Sequence, residues 1–170
     1  MLIAGQVNTD GVAGKSAGEI EIRAGHDITI ADGGKVSASG QGAHSDGGKV
    51  VIKAKQQSTL AKGGTVAANA GTSGNGGQVE LSADESVTWA GTLEAKAGQG
   101  GAVGHVLIDP REINLTQDQR LGGTNYSLQA SEKINVADGV MISTRNITNY
   151  QTASQQEHRD AVSVGDSGDI

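Results

Sequence analysis

Apolar and polar residues alternate in several short stretches of the chain. Residues 19–24 read Glu-Ile-Glu-Ile-Arg-Ala, and residues 49–54 and 78–83 show a similar alternation. Because successive side chains of a β-strand point to opposite faces, this pattern predicts strands with one buried face and one solvent-exposed face. No stretch combines a helical apolar period with a helix cap, so no helix is predicted.

The alternating stretches recur at a nearly constant step. One strand position holds Val7, Val36, Val66 and Leu93, at steps of 29, 30 and 27 residues. A second position holds Ile20, Val50, Val79 and Val106, at steps of 30, 29 and 27 residues. A third short apolar segment follows in three of the repeats, with Ile28 and Ile30, then Leu60, then Val87 and Trp89. Each repeat is therefore predicted to contain three short strands joined by Gly-rich turns.

A strand of about five residues that buries only one face is not stable alone, so the repeats are expected to stack on one another. We therefore predict an all-β fold, a parallel β-helix (a solenoid) of roughly 30-residue, three-strand repeats. Its inward side chains should form columns, in which Ile20, Val50, Val79 and Val106 lie over one another. Paired glycines at 33–34, 47–48, 63–64 and 76–77 are predicted at the corners of the coils.

The spacing of apolar residues changes after Asp109-Pro110. From Leu128 onwards apolar pairs follow one another at about six or seven residues, which predicts tighter coils with minimal turns such as 137–139. Pro110 has no backbone N–H to donate, so it should lie at a strand edge or corner. We thus assign residues 1–110 to coils with about 30-residue repeats, residues 111–146 to tighter coils, and residues 147–170 to a polar loop or frayed end.

Composition alone gives a different impression. Of 170 residues, 27 are Gly and three are aromatic, while Val, Ile and Leu together number 34. That aliphatic share is about the level below which chains are expected to be disordered. The repeat reverses this expectation, because the same few aliphatic residues recur at alternate strand positions. A thin core of small aliphatic side chains is therefore predicted.

Charge and residue usage exclude several classes of function. The net charge of −6 is scattered, with neither a basic stripe nor an acidic tail, and few aromatic side chains are available for base stacking. A nucleic-acid partner is therefore not expected. The apolar runs are too short to span a membrane, and the absence of Cys excludes disulfides and Cys-based metal sites. Residues 1–5 lack a basic segment followed by an apolar one, so no signal peptide is expected in this segment.

The candidate chemistry is sparse. His44 and Asp46 share a loop, but two ligands without a third are a weak metal signal. The outward strand residues are of mixed charge, with no acid pair recurring at matched positions of neighbouring coils, as a polysaccharide-cleaving site would need. We therefore predict no catalytic, cofactor-binding or metal-binding residues, no cofactor and no enzymatic activity. Trp89 fits either core filling or a sugar-stacking platform, and three glycosylation sequons are left open at Asn114, Asn125 and Asn146.

Three segments carry a family likeness. The Gly-Gly-x-Val-x-Ile-x-Ala units, residues 104–110 leading to Ile113-Asn114-Leu115, and residues 123–136 together resemble the filamentous-haemagglutinin-like exoproteins of two-partner secretion in Gram-negative bacteria. The likeness covers about residues 5–145. It implies a long right-handed β-helix that an outer-membrane transporter exports and that is then secreted or displayed on the bacterial cell surface.

The resemblance also implies a function. The chain is expected to be a non-catalytic segment of a stiff rod that binds a receptor or glycan on host or neighbouring bacterial cells. Two alternatives stay open at this point. The segment could instead belong to the stalk of a contact-dependent toxin-delivery exoprotein, or to a β-helical enzyme acting on polysaccharides.

Overall fold

Short strands follow one another along the chain with only turns and loops between them. The structure, a computed structural model, describes residues 1–144, and every regular element in that range is a β-strand. The polar segment predicted at 147–170 lies outside the described residues. The strands are β1 (Leu2–Ile3), β2 (Gln6–Asn8), β3 (Glu19–Ala24), β4 (Ile28–Ile30), β5 (Lys35–Ser37), β6 (Lys49–Ala54), β7 (Gln57–Leu60), β8 (Thr65–Ala67), β9 (Gln78–Ala83), β10 (Ser86–Trp89), β11 (Thr92–Glu94), β12 (His105–Asp109), β13 (Glu112–Leu115), β14 (Gln119–Arg120), β15 (Asn125–Leu128), β16 (Lys133–Val136) and β17 (Ile142–Ser143).

The strands pair with the strands of the next repeat rather than with their neighbours in sequence. The first sheet has the order β1-β4-β7-β10-β13-β16, the second β11-β8-β5-β2 and the third β15-β12-β9-β6-β3. All these pairings are parallel, and β14 pairs separately with β17. Each full turn of the chain up to β12 thus contributes one strand to each sheet, which makes the protein a parallel β-solenoid of about four turns with a repeat of about 29 residues. The predicted all-β solenoid is confirmed.

The predicted core column is present in register. Val50 pairs with Ile20 on one side and with Val79 on the other, and Val79 pairs in turn with Val106. Each of these side chains is buried, and together with the inward residues of the other two sheets they form one continuous apolar cluster. Burial of aliphatic surface stabilises a fold by about 25 cal/mol per Å², and each coil with residues in this cluster contributes to that stabilisation.

The end of the stack differs from its middle. Val7 lies in register with Val36, yet it is 40% exposed whereas Val36 is fully buried. The strand that contains Val7 is the edge strand of the second sheet, so no further coil covers it. The alternation of the sequence fixes the direction of a side chain, while its burial depends on the coils above and below.

Glycine is required where one coil approaches the next at a corner. A Cβ atom on Gly77 would overlap the carbonyl oxygen of Gly48, and one on Gly104 would overlap the carbonyl oxygen of Gly77. Gly63 instead needs its conformational freedom, because it has a φ angle of 84°. The predicted glycine corners are therefore of two kinds, one set by close backbone approach and one by left-handed backbone geometry.

Polar side chains continue the ladder of hydrogen bonds beyond the second sheet. The Oδ1 atom of Asp10 accepts from the backbone N–H of Ser39 at 2.8 Å, and Ser39 Oγ accepts from the N–H of Asn69 at 3.2 Å. Asn69 Oδ1 then accepts from the N–H of Lys96 at 2.8 Å. These residues occupy the same place in successive repeats, so each coil supplies a side-chain acceptor to the backbone of the next. We call this arrangement the corner ladder.

The coil shortens after residue 110, as predicted, but for a different reason than the apolar spacing suggested. Val106 pairs with Tyr126 and Ile113 pairs with Ile134, so the repeat falls to 20 or 21 residues. The spacing of six or seven residues separates strands of different sheets within one turn and is not the length of a coil. Pro110 lies, buried, at the corner between β12 and β13, as predicted.

The minimal turn predicted at 137–139 is also confirmed. Gly139 has a φ angle of 74°, and the N–H of Val140 donates to the carbonyl oxygen of Ala137 at 3.1 Å. This turn leads the chain out of the first sheet towards β17.

Candidate functional site

Trp89 belongs to the core. Its side chain has no exposed surface, and its ring stacks on that of Tyr126 with centroids 5.8 Å apart and planes inclined by 20°. Its Nε1 atom donates to the carbonyl oxygen of Gly91 at 3.0 Å. Of the two interpretations left open by the sequence, core filling is therefore right, and Trp89 is not accessible to a sugar.

The outward face of the third sheet is covered by ion pairs between coils. Lys49 Nζ lies 3.0 Å from Glu19, and Lys53 Nζ lies 2.6 Å from Glu80. The hydrogen bond and charge of Glu19 raise the pKa of Lys49 above its ordinary value. Exposed pairs of this kind each stabilise a fold by about 0–1 kcal/mol. They therefore favour the alignment in which opposite charges on neighbouring coils face each other, and add little to overall stability. These carboxylates already have cationic partners, which makes them poor candidates for acid–base chemistry.

The loop that contains His44 and Asp46 is built for coil stacking. Asp46 Oδ1 accepts from the backbone N–H of Asn75 at 2.7 Å, and the backbone N–H of His44 donates to Ser73 Oγ at 2.9 Å. No group of three His, Asp or Glu side chains that could hold a metal occurs among residues 1–144. The carboxylate thus serves the next coil in the same way as the residues of the corner ladder.

The three sequons fall in different surroundings. Asn114 Oδ1 accepts from the amide of Asn135 at 2.7 Å, in register across β13 and β16. Asn125 is half-buried at the start of β15. Asn146 lies outside the described residues.

The second sheet is interrupted where the coil shortens. Its last strand, β11, has no strand beyond it in that sheet, because β14 pairs only with β17. Side chains bond to backbone groups near this edge. Tyr126 Oη donates to the carbonyl oxygen of Leu93, and the N–H of Ala95 donates to Thr124 Oγ1 at 3.0 Å. The interruption is therefore stabilised by two hydroxyl groups in place of a further strand.

Burial raises the pKa of Tyr126 above its ordinary value. The ring is 4% exposed, and desolvation disfavours the phenolate. The nearby charge of Glu94 acts in the same direction, while a hydrogen bond with Thr124 opposes it. The hydroxyl therefore stays protonated and able to donate throughout the neutral range.

A cleft opens beside this interruption. We call it the break cleft; it has a volume of about 300 Å³ and is lined by Lys62, Gly63, Ala90, Gly91, Thr92, Leu93, Asp118, Gln119, Arg120 and Leu121. A second depression of about 430 Å³ adjoins it and shares Lys62, Ala90 and Asp118. These volumes fall within the range of about 300–1,000 Å³ that is common for small-molecule sites.

One polar group of the break cleft lacks a partner. Gln119 is 5% exposed, and its Nε2 atom is the one buried side-chain nitrogen or oxygen without a hydrogen bond among residues 1–144. The N–H and C=O groups and amides of protein interiors are almost always paired, so an orphaned buried amide is unusual in a folded protein. Gln119 was not predicted from the sequence, because its sequence context is that of an ordinary polar residue in a turn.

Taken together, the fold defines a parallel β-solenoid repeat protein, and none of the described residues form a helix that could span a membrane. No protein-family model matches the chain, and neither does any curated protein or any solved structure. The fold and the break cleft are therefore the features from which a function can be argued.

Proposed function

We propose that the chain is a non-catalytic, structural and adhesive segment of a haemagglutinin-like exoprotein. In this role it forms part of a stiff rod that is secreted or displayed at the bacterial surface and binds host or neighbouring cells. Its partners would be an outer-membrane two-partner secretion transporter during export and a cell-surface receptor or glycan afterwards. The likeness of residues 5–145 to that family is the sequence support for the proposal.

The observation that carries the proposal is the unbroken register of the first sheet. From β4 to β16 each strand of the first sheet pairs with the corresponding strand of the next coil, and the buried core runs through β4, β7, β10 and β13. Such nearest-neighbour stacking makes a solenoid stiff and extendable, since each further coil repeats the same contacts. Stiffness and reach are what a stalk or adhesive rod requires.

The outward charges also favour a non-catalytic role over the polysaccharide-cleaving alternative. Acidic side chains on successive coils are paired with cations, as in Glu80 with Lys53 and Glu112 with Lys133. A glycoside hydrolase needs two carboxylates that face one substrate bond at a set distance, one of them held protonated. Ion pairing favours the charged form of a carboxylate and so works against that requirement.

The modular repeat allows a sharp test of the scaffold role. Deleting residues 49–77 removes one whole coil and joins Gly48 to Gln78, which then pairs where Lys49 paired before. Deleting residues 49–62 removes about half a coil and destroys the register. Beads coated with each variant are passed over cultured epithelial cells or bacteria, and their retention is counted.

The proposal predicts that the whole-coil deletion folds and keeps adhesion, while the half-coil deletion loses both. Retention of wild-type-coated beads no better than that of beads coated with the half-coil variant would contradict the adhesive role. Release of reducing ends from acidic or neutral polysaccharides by the purified chain would contradict the non-catalytic role.

A further inference from the structure

The loop between β8 and β9 contains the one Asn-Gly dipeptide of the chain. Of the eight asparagines, Asn75 alone is followed by glycine. The backbone nitrogen of the residue after an asparagine can attack the side-chain Cγ atom and close a succinimide ring. Glycine favours this attack, because it has no Cβ atom to obstruct the approach and its backbone adopts a wide range of angles. Asn75-Gly76 is therefore the dipeptide at which the chain should deamidate most readily once it is unfolded.

Coil stacking requires a glycine at position 76 and a side-chain acceptor at position 75. A Cβ atom on Gly76 would lie 2.1 Å from the carbonyl oxygen of Ala95, so a larger residue does not fit. Asn75 Oδ1 accepts from the backbone N–H of Ala102 at 2.9 Å and so links this loop to the next coil. The reactive dipeptide is therefore a consequence of how the coils are stacked.

The preceding coil meets the same two requirements with an aspartate. A Cβ atom on Gly47 would lie 2.0 Å from the carbonyl oxygen of Ala68. Asp46 Oδ1 accepts from the backbone N–H of Asn75 at 2.7 Å, just as Asn75 Oδ1 accepts from the coil that follows. An aspartate at position 75 would thus keep an acceptor for the next coil.

The folded stack holds both reacting groups in place. The N–H of Gly76 donates to the carbonyl oxygen of Ala102 at 2.9 Å, and the N–H of Ala102 donates to Asn75 Oδ1 at 2.9 Å. The attacking nitrogen and the amide under attack are thus both bound to one residue of the next coil. Ring closure requires the nitrogen to lose its proton and turn towards Cγ, so both hydrogen bonds must break. The loop must therefore separate from the next coil before Asn75 can react.

We propose that Asn75-Gly76 is a deamidation site that the next coil keeps unreactive, and that it reacts when the two loops separate. The Gly76 nitrogen forms a bond to Asn75 Cγ and loses its proton, while the Cγ–Nδ2 bond breaks and ammonia leaves. Water then opens the succinimide at Cγ to give aspartate, or at the backbone carbonyl carbon to give isoaspartate. This inference goes beyond the proposed adhesive role and does not depend on it.

The two products differ in their effect on the stack. Aspartate leaves the backbone unchanged and retains an oxygen acceptor for Ala102. Isoaspartate routes the backbone through Cβ and Cγ, which lengthens the chain by one atom before Gly76. Because Gly76 already lies too close to Ala95 to admit a Cβ atom, a displaced backbone has no room there. The isoaspartate product should therefore prevent the loops from closing again, whereas Asn75→Asp should melt close to the wild type.

The test follows deamidation of the full-length chain at mildly alkaline pH, in buffer and in a denaturing concentration of guanidinium chloride. Peptide mapping by mass spectrometry gives the conversion at each asparagine. Methylation by protein isoaspartate methyltransferase, after removal of the denaturant, gives the isoaspartate fraction. The proposal predicts that Asn75 reacts fastest of all asparagines in the denaturant, and at least about tenfold more slowly in buffer, where the loop must first open.

Two variants at one position separate the effect of the next coil from the intrinsic chemistry. Ala102→Pro removes the N–H that holds Asn75 Oδ1, so Asn75 should react about 2- to 10-fold faster in buffer, as expected for the loss of one hydrogen bond. Ala102→Gly keeps that N–H and should react as the wild type does. In guanidinium chloride all three chains should react at the same rate. Melting curves from circular dichroism show whether each variant folds.

Four results would overturn the proposal. They are equal rates at Asn75 in buffer and in denaturant, a rate in denaturant no higher than at the other asparagines, an unchanged rate in folded Ala102→Pro, and an isoaspartate-enriched chain that melts as high as Asn75→Asp. If Ala102→Pro does not fold, the comparison of the wild type in buffer and in denaturant still decides. None of these results bears on the adhesion of coated beads, so the proposed function stands or falls separately.

Discussion

Ile52 offers the sharpest test of the solenoid core. It is fully buried and lies in register between Ile22 and Leu81, so it has inward neighbours in both adjacent coils. Truncation of a buried Ile to Ala costs about 2–5 kcal/mol through lost burial and an unfilled cavity. An uncompensated carboxylate at the same place costs several kcal/mol, because it must be desolvated without a partner or take up a proton.

This magnitude can be compared with the stability of the whole domain. Domains of this size are stable by about 5–15 kcal/mol, and 1 kcal/mol corresponds to a change in melting temperature of about 2–4 °C. Ile52→Ala should therefore lower the melting temperature by roughly 4–20 °C, and Ile52→Asp should leave little folded protein. Thermal unfolding is followed by far-UV circular dichroism at pH 7.

A matched control uses the outward face of the neighbouring strand. Gln78 is exposed on β9, and Gln78→Asp introduces the same carboxylate at a position where water solvates it. Its melting temperature should stay close to that of the wild type. A wild-type-like melting curve for Ile52→Asp, or equal losses in the two Asp variants, would refute the assignment of inward and outward faces.

Three further predictions follow from the corners and the sheet interruption. Gly77→Ala should lower the free energy of unfolding by more than about 1 kcal/mol, because its Cβ would overlap the carbonyl oxygen of Gly48, whereas Gly25→Ala meets no atom and should be nearly neutral in urea unfolding. Asn69→Ala removes one rung of the corner ladder and a bond from its Nδ2 to Glu94, so we expect a loss of about 1–3 kcal/mol, measured in the same way. Tyr126→Phe should cost about 1–3 kcal/mol by leaving the carbonyl of Leu93 unpaired. Because the folded pKa of Tyr126 is raised, its contribution is complete below a pH of about 10 and is lost as the pH rises towards the folded pKa, so the phenylalanine variant should lose less stability between pH 9 and 11 than the wild type.

The solenoid was predictable because its information is local and repeated. The column through Ile20, Val50 and Val79 follows from alternation within each strand and a step of about 29 residues between strands. The glycine corners follow in the same way, since the same residue type recurs at the same place in each repeat. Repetition thus substitutes for knowledge of long-range contacts.

The shortened coil shows where this reasoning fails. The pattern after residue 110 gave strands in the right places, but it did not show that Leu128 and Ile134 belong to different sheets of one turn. Periodicity identifies strands, whereas the assignment of a strand to a sheet depends on the length of the intervening turns. Once the repeat loses its constant length, the pairing of strands is known only from the structure.

The break cleft was not predictable for the same reason. Gln119 lines the same cleft as Gly91 and Lys62 because the coil that contains it is shorter than the coil before it. The hydroxyl bonds of Tyr126 to Leu93 in β11 and of Thr124 to Ala95 just after it also have no counterpart in the earlier repeats. Features that occur once in a repeat protein leave no periodic trace in its sequence.

Disulfide trapping tests the in-register parallel stack most directly, because the chain has no cysteine of its own. Gln78 and His105 are register partners on the outward faces of β9 and β12, so Gln78→Cys with His105→Cys should oxidise to an intramolecular disulfide in the folded protein. Asp109 lies four residues further along β12, about 13 Å away, so Gln78→Cys with Asp109→Cys should stay reduced. Rapid cross-linking of the first pair alone is the result that the account predicts. Cross-linking of the second pair in preference to the first would contradict the parallel register on which the solenoid rests.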